Sequence, residues 1–142
     1  MKRAVIDASV ILKWYLPDEQ YGSQALRILD QYMSENLDIT VPTLLEYELI
    51  NGLAIARRRG RLEEGSVTSA MEGFLNLGIK LVHSSELYQR VLYYCHTFNR
   101  SAYDASYLAL AEKEGIQLVT ADERLFNSVK NDLKWVMWLG EF

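Results

Sequence analysis

Short apolar runs alternate along this chain with stretches whose apolar residues recur every three or four positions, the signature of strands alternating with helices. Residues 3–7 read as a buried strand running into Asp7. Residues 20–35 carry Ala25, Ile28, Leu29, Tyr32 and Met33 at helical spacing. A short strand is expected from Asp38 to Val41, and Pro42 suits the first position of the next helix because its φ is fixed and it has no donor to lose. That helix should run to about Arg59 and stop at Gly60. Residues 62–77 predict another helix closed by Gly78, 79–82 a strand, and Ser84 or Ser85 the cap of a helix reaching Phe98. Residues 102–114 follow as a helix stopped by Gly115, then a strand at 117–120, a short helix after Asp122, and a last strand at 134–138. No repeat, low-complexity tract or linker interrupts the pattern, so residues 1–142 are expected to form one domain.

Such alternation implies a three-layer α/β/α sandwich around a parallel sheet. Sheets of this kind place their sites beyond the carboxyl ends of the strands, where the strand order reverses. Asp7 and Asp122 both end strands and so lie on that edge. Asp104 lies in the first turn of the helix at 102–114. That helix carries the chain roughly 18 Å away, and the following strand returns it by a similar distance, so Asp104 and Asp122 meet at one edge. Glu48 comes from the second turn of the helix after Pro42, and Asn51 shares its face. Glu46 points elsewhere and reads as surface or as a support behind the ligands. Taken singly, each aspartate could be a helix cap or a dipole partner and Glu48 a solvated side chain. Those readings do not explain their convergence.

Four bare carboxylates on one edge repel, which raises their pKa values. The arrangement makes sense around a divalent cation, and all-oxygen ligands suit Mg2+ or Mn2+. Asp7 is the candidate central ligand, with Asp104 and Asp122 beside it. Glu48 is expected to bind metal directly, act through water, or orient an attacking water; the sequence leaves these open. Ser9 and Thr120 could hydrogen-bond the ligands. His83 and His96 have no zinc spacing and read as structural.

Composition narrows this further. A net charge of −4 excludes a protein that holds nucleic acid by overall charge, but not a nuclease whose acids are neutralised by cations. The arginines cluster at 57, 58, 59 and 61; they can serve the helix end or contact phosphates, with Arg57, Arg58 and Lys13 the candidate RNA contacts. Trp14 could stack on a base, although core or dimer packing explains it as well. The single cysteine, Cys95, excludes an intramolecular disulfide; it is spaced with Leu87, Val91 and Phe98 as a small buried hydrophobe, and a reducing cytoplasm is expected. No apolar run is long enough to span a membrane.

Four blocks, VIDASVILKW, PTLLEYELINGL, SAYDASYLALAEKEG and LVTADERLF, resemble in order and spacing the motifs of the PIN-domain family, most closely the VapC-type toxins of toxin–antitoxin pairs. The resemblance covers essentially the whole chain. It implies a Mg2+- or Mn2+-dependent endoribonuclease with Asp7, Glu48, Asp104 and Asp122 at the acidic positions and Ser9, Asn51 and Thr120 at polar supporting positions. It also implies a homodimer and a small cognate antitoxin. A surplus of aromatics, nine tyrosines and three tryptophans, agrees with a dimer, since adjacent Tyr93 and Tyr94 cannot both face one core. An antitoxin arginine could enter the carboxylate cluster and displace metal, its tail resting near Leu53, Ile55 or Trp14. Two rival classes stand beside this. A receiver- or phosphatase-like phosphotransfer domain also places aspartates at strand ends, but Ala8 and Ser9 follow Asp7 where a second aspartate belongs. A catalytically quiet RNA- or partner-binding module would be expected to lack a carboxylate.

Overall fold

The computed structural model describes residues 2–142. β1 (Lys2–Ile6) leads into α1 (Ala8–Tyr15) and α2 (Gly22–Met33), and β2 (Leu37–Pro42) into α3 (Leu44–Arg58) and α4 (Glu64–Asn76). β3 (Lys80–Val82) leads into α5 (Tyr88–Phe98) and α6 (Ala102–Glu114), and β4 (Gln117–Thr120) into α7 (Glu123–Val129) and β5 (Val136–Trp138). The strands form one sheet in the order β3-β2-β1-β4-β5, every pair parallel. The chain therefore steps outward from β1 twice in one direction, then crosses back over β2 and β1 to reach β4. With right-handed crossovers, that reversal puts helices on both faces, as the alternating pattern requires.

The strands are apolar runs because both faces are covered: Val5, Ile6, Ile39, Val41 and Leu118 are fully buried. Each such side chain contributes roughly 1.5–3 kcal/mol on leaving water. α6 packs on α5 and across β1, β2 and β4. It is buried all round from Ala105 to Ala111, and its three alanines there let it lie close to the sheet. Gly115 ends it with φ at +67°, a left-handed turn that glycine adopts without steric cost and that sends the chain straight into β4.

Several boundaries differ from the sequence reading. Pro42 is the last residue of β2, paired with Val82, and helix α3 begins only at Leu44. The next N–H, of Thr43, bonds to Val82 O, so the missing Pro42 donor faces the β1 side, beyond the last β1–β2 pair at Val5 and Thr40. No ladder bond is lost there. His83, not Ser84 or Ser85, caps the segment after β3: its Nδ1 accepts from Ser85 N and the chain makes one 3-10 turn, Ser84–Glu86, before α5. Lys134 and Trp135 lie outside β5. Helix α1, which the pattern of apolar positions did not mark, covers the turn after Asp7. Cys95 is half-buried against the core rather than within it. Among the described residues, no helix is long and apolar enough to cross a membrane.

Candidate active site at the carboxyl edge of the sheet

The strand order reverses between β1 and β4, and Asp7 and Asp122 follow those two strands. Asp7 N donates to Val119 O (3.3 Å), which pins the β1–α1 turn to β4. The Asp7 carboxylate is 4% exposed and fully engaged: Oδ1 accepts from Ser9 N (3.1 Å) and from the Ser9 hydroxyl, and Oδ2 accepts from Thr120 Oγ1 (2.5 Å). Asp7 is thus the N-cap of α1. Both hydroxyls have a second task. Ser9 Oγ accepts from Ala121 N (2.9 Å) and Thr120 Oγ1 from Asp122 N (3.0 Å), so two small side chains tie the turn after β1 to the turn after β4.

Glu48 rises from α3 and accepts at Oε1 from the Tyr107 hydroxyl (2.5 Å), which is 2% exposed. Tyr107 stands three residues after Asp104 on α6, so one helix face supplies both groups. Ser101 caps α6 through Asp104 N (3.1 Å), and Arg100 closes on the same carboxylate, with Nε at 3.1 Å and Nη2 at 2.8 Å from Oδ2. Asp122 caps α7, its Oδ1 accepting from Leu125 N (3.1 Å). Asp7, Glu48, Asp104 and Asp122 line one cleft of about 270 Å³, together with Ser9, Asn51 and Tyr107.

The electrostatics follow from this crowding. Burial, against the pull of the Ser9 and Thr120 hydrogen bonds and with the charges of Asp122 and Glu48 adding to it, pushes the Asp7 carboxyl up to about 7. Glu48 is raised as well, first by burial and then by Asp104 and Asp122, with the Tyr107 hydrogen bond opposing. Burial holds the Tyr107 phenol well above its ordinary range, so it stays a donor to Glu48. A cation between these groups would relieve the repulsion, and the all-oxygen donors fit a hard divalent ion. As the side chains stand, no three of the described His, Cys, Asp and Glu residues enclose a single point. Asp104 is turned to Arg100 and Asp122 to its helix, and both are only partly buried.

Other expected residues lie away from the cleft. Lys13 pairs with Glu19 (3.4 Å) and lines a neighbouring pocket. Arg57 and Arg58 are exposed at the far end of α3. Trp14 is buried with its indole donating to Ala25 O (2.8 Å), so it cannot stack on a base, and Leu53 is fully buried and offers no docking surface. Glu46 lines an apolar groove elsewhere on the surface. His96 is exposed on α5. The sequence reading missed Tyr107 and Arg100. Tyr107 could have been found by its three-residue spacing from Asp104; the Arg100 contact depends on the turn between α5 and α6, where Asn99 is left-handed at φ +52°.

Comparison with known proteins agrees with this fold. A PIN-domain family model matches residues 4–131. Ribonuclease VapC3 of Pyrobaculum aerophilum is 34% identical over 125 residues, covering 87% of this chain and 92% of that protein. Ribonuclease VapC9 of Mycobacterium tuberculosis is 36% identical over 121 residues, 85% and 87% of the two chains. Among crystal structures, PAE2754 from P. aerophilum superposes with a TM-score of 0.71 at 23% identity, over 99% of this chain and 85% of that one. VapC20 of M. tuberculosis, described as a toxin cleaving the sarcin–ricin loop, gives 0.64 at 16% identity over 88% and 94%. The two structures speak for the fold and the two relatives for the sequence. Because the family model runs from β1 through α7 and takes in all four acidic positions, the chain belongs to the PIN-domain family and is of the VapC type.

Proposed function

We propose that this protein is a metal-dependent endoribonuclease and the toxin of a VapBC-type pair. The observation that carries the reading is the single cleft at the sheet's switch point lined by Asp7, Glu48, Asp104 and Asp122. The relatives named as VapC ribonucleases support it. Asp7, Asp104 and Asp122, with Glu48 beside them, would hold Mg2+ or Mn2+. When bound, such an ion activates water and offsets charge on the phosphate. The chain's own residues do the rest. Ser9 and Thr120 fix the Asp7 carboxylate, and Tyr107 holds Glu48 by Oε1, leaving Oε2 to orient the attacking water. Asn51 stands in the cleft wall one turn along α3. Arg57 and Arg58 follow on the same helix, about 15 Å from Glu48 at roughly 1.5 Å per residue, a reach suited to flanking RNA phosphates.

The proposal extends to assembly. Tyr47, Tyr88, Leu92 and Tyr103 are all more than half exposed around an apolar groove of about 530 Å³ formed by α3, α5 and α6. A patch of that kind supports a homodimer. A small antitoxin would inhibit by placing an arginine among the acids; the Arg100–Asp104 pair supports this, since it puts a guanidinium against a cleft carboxylate. RNA as the substrate points to a cytoplasmic site of action. A second reading, a catalytically quiet RNA- or partner-binding module, is favoured by that same Arg100 contact. Cleavage of RNA with Mn2+ and its loss with EDTA and in Asp7→Asn separates the two: inert protein under all conditions supports the quiet module.

A further inference from the structure

Next to the carboxylate cleft lies a second pocket, of about 460 Å³, that the mechanism does not use. Consecutive residues on two segments line one or the other. On α1, Leu12 lines the cleft and Lys13 the pocket; after β4, Asp122 lines the cleft while Ala121 and Glu123 line the pocket. Three aromatic rings build the pocket's apolar side: Tyr21 meets Trp138 edge-on with centroids 5.7 Å apart, and Phe126 meets Trp138 at 5.6 Å. The ring of Tyr21 is placed there by an unusual backbone. Tyr21 is left-handed at φ +64°, in a turn so tight that a Cβ on Gly22 would stand 2.3 Å from Pro17 O. Strain of this kind is kept where surrounding structure and use demand it. The polar side is formed by the exposed amides of Gln20 and Asn127.

We infer that this pocket receives a nucleobase of the RNA, that of a nucleotide neighbouring the scissile phosphate, and sets the base preference of cleavage. The inference rests on the ribonuclease reading for its substrate, but its chemistry stands on the pocket. Aromatic faces stack on bases of any kind, whereas carboxamides pair with base edges and discriminate among them. A phosphate is disfavoured, because Glu123 adds negative charge and Lys13 is already committed to Glu19. The volume falls within the range of small-ligand pockets. Adjacency supplies the geometry: Asp122 in the cleft stands in sequence between Ala121 and Glu123 in the pocket, so a chain whose phosphate lies in the cleft carries its next base toward the pocket.

Two measurements test it. In the first, cleavage ends are mapped on a randomised RNA with Mn2+ for the wild type, Gln20→Ala and Asn127→Ala. The wild type should prefer one base at one position beside the cut, and at least one substitution should reduce that discrimination about tenfold at that position alone. In the second, the four ribonucleosides, which carry no phosphate, are titrated into metal-free wild-type protein and followed by NMR. One nucleoside should shift the Trp138 indole and Asn127 side-chain amide signals more than the others do. If the wild type cleaves but neither substitution changes the preference, the base pocket is overturned and the nuclease reading stands. If the wild type cleaves nothing, the nuclease reading falls, and the nucleoside titration alone decides the pocket. Absence of shifts at those two signals overturns it in either case.

Discussion

Burial and hydrogen bonding pull the Asp7 carboxyl in opposite directions, and burial wins. With its pKa raised from 3.8 to about 7, the folded protein holds a proton that the unfolded chain has lost. The stability gained from that proton is present at low pH and fades as pH rises from about 4 through about 7, a change of roughly 4 kcal/mol for metal-free protein. Asp7→Asn removes this dependence while keeping an N-cap of equal quality. Melts without metal should show the variant at least as stable as the wild type above neutral pH, with no cleavage. A large loss of stability instead would make Asp7 chiefly a structural cap. Tyr107→Phe deletes the donor to Glu48 without changing the packing. It should lower kcat or metal affinity about 10- to 100-fold, with a melting temperature close to that of the wild type. Arg100 places a positive charge on Asp104, so Arg100→Gln should lower the Mn2+ concentration for half-maximal activity a few-fold; an unchanged midpoint would mean that the pair does not compete with the ion.

At the level of elements, two glycines decide how closely segments approach. A Cβ on Gly22 would meet the backbone carbonyl of Pro17 at 2.3 Å, and a backbone atom cannot step aside. A Cβ on Gly52 would meet the Leu12 side chain at 2.6 Å, where α3 crosses α1 beside the cleft. Leu12 can rotate, and alanine improves helix propensity by about 1 kcal/mol. Chemical denaturation should therefore show Gly22→Ala destabilised by several kcal/mol and Gly52→Ala by no more than about 2 kcal/mol. Equal losses would contradict this account. Because Leu12 and Gly52 both line the cleft, Gly52→Ala should also reduce activity more than its stability predicts.

At the level of the whole molecule, α3, α5 and α6 leave Tyr47, Tyr88, Leu92 and Tyr103 in solvent while burying Tyr94 and Tyr107. Sedimentation at micromolar concentration should give the mass of two chains. Leu92→Glu, at a position 64% exposed, should yield folded monomer. A wild type that stays monomeric across that range would leave the apolar groove without its proposed occupant.

Much of this was legible in the chain itself. Periodicity is a local property, so the order of the strands and of every helix but α1 followed from it, and with parallel connections so did the edge holding Asp7, Glu48, Asp104 and Asp122. The stops near Gly60, Gly78 and Gly115 followed too, because a left-handed turn is written in one residue. Other features depended on neighbours that no local pattern names. Pro42 stays in β2 because β1 has already ended beside it. Trp14 is interior because α2 offers it the Ala25 carbonyl, and Lys13 is spent on Glu19. Tyr107 reaches Glu48 across 59 positions of sequence, and Thr120 reaches Asp7 across 113. The residue types and their spacing set which groups could meet; the packing of α6 against the sheet and the close pairing of β1 with β4 decided which hydrogen bonds formed, because those bonds depend on distances of a few ångströms that only the assembled layers fix.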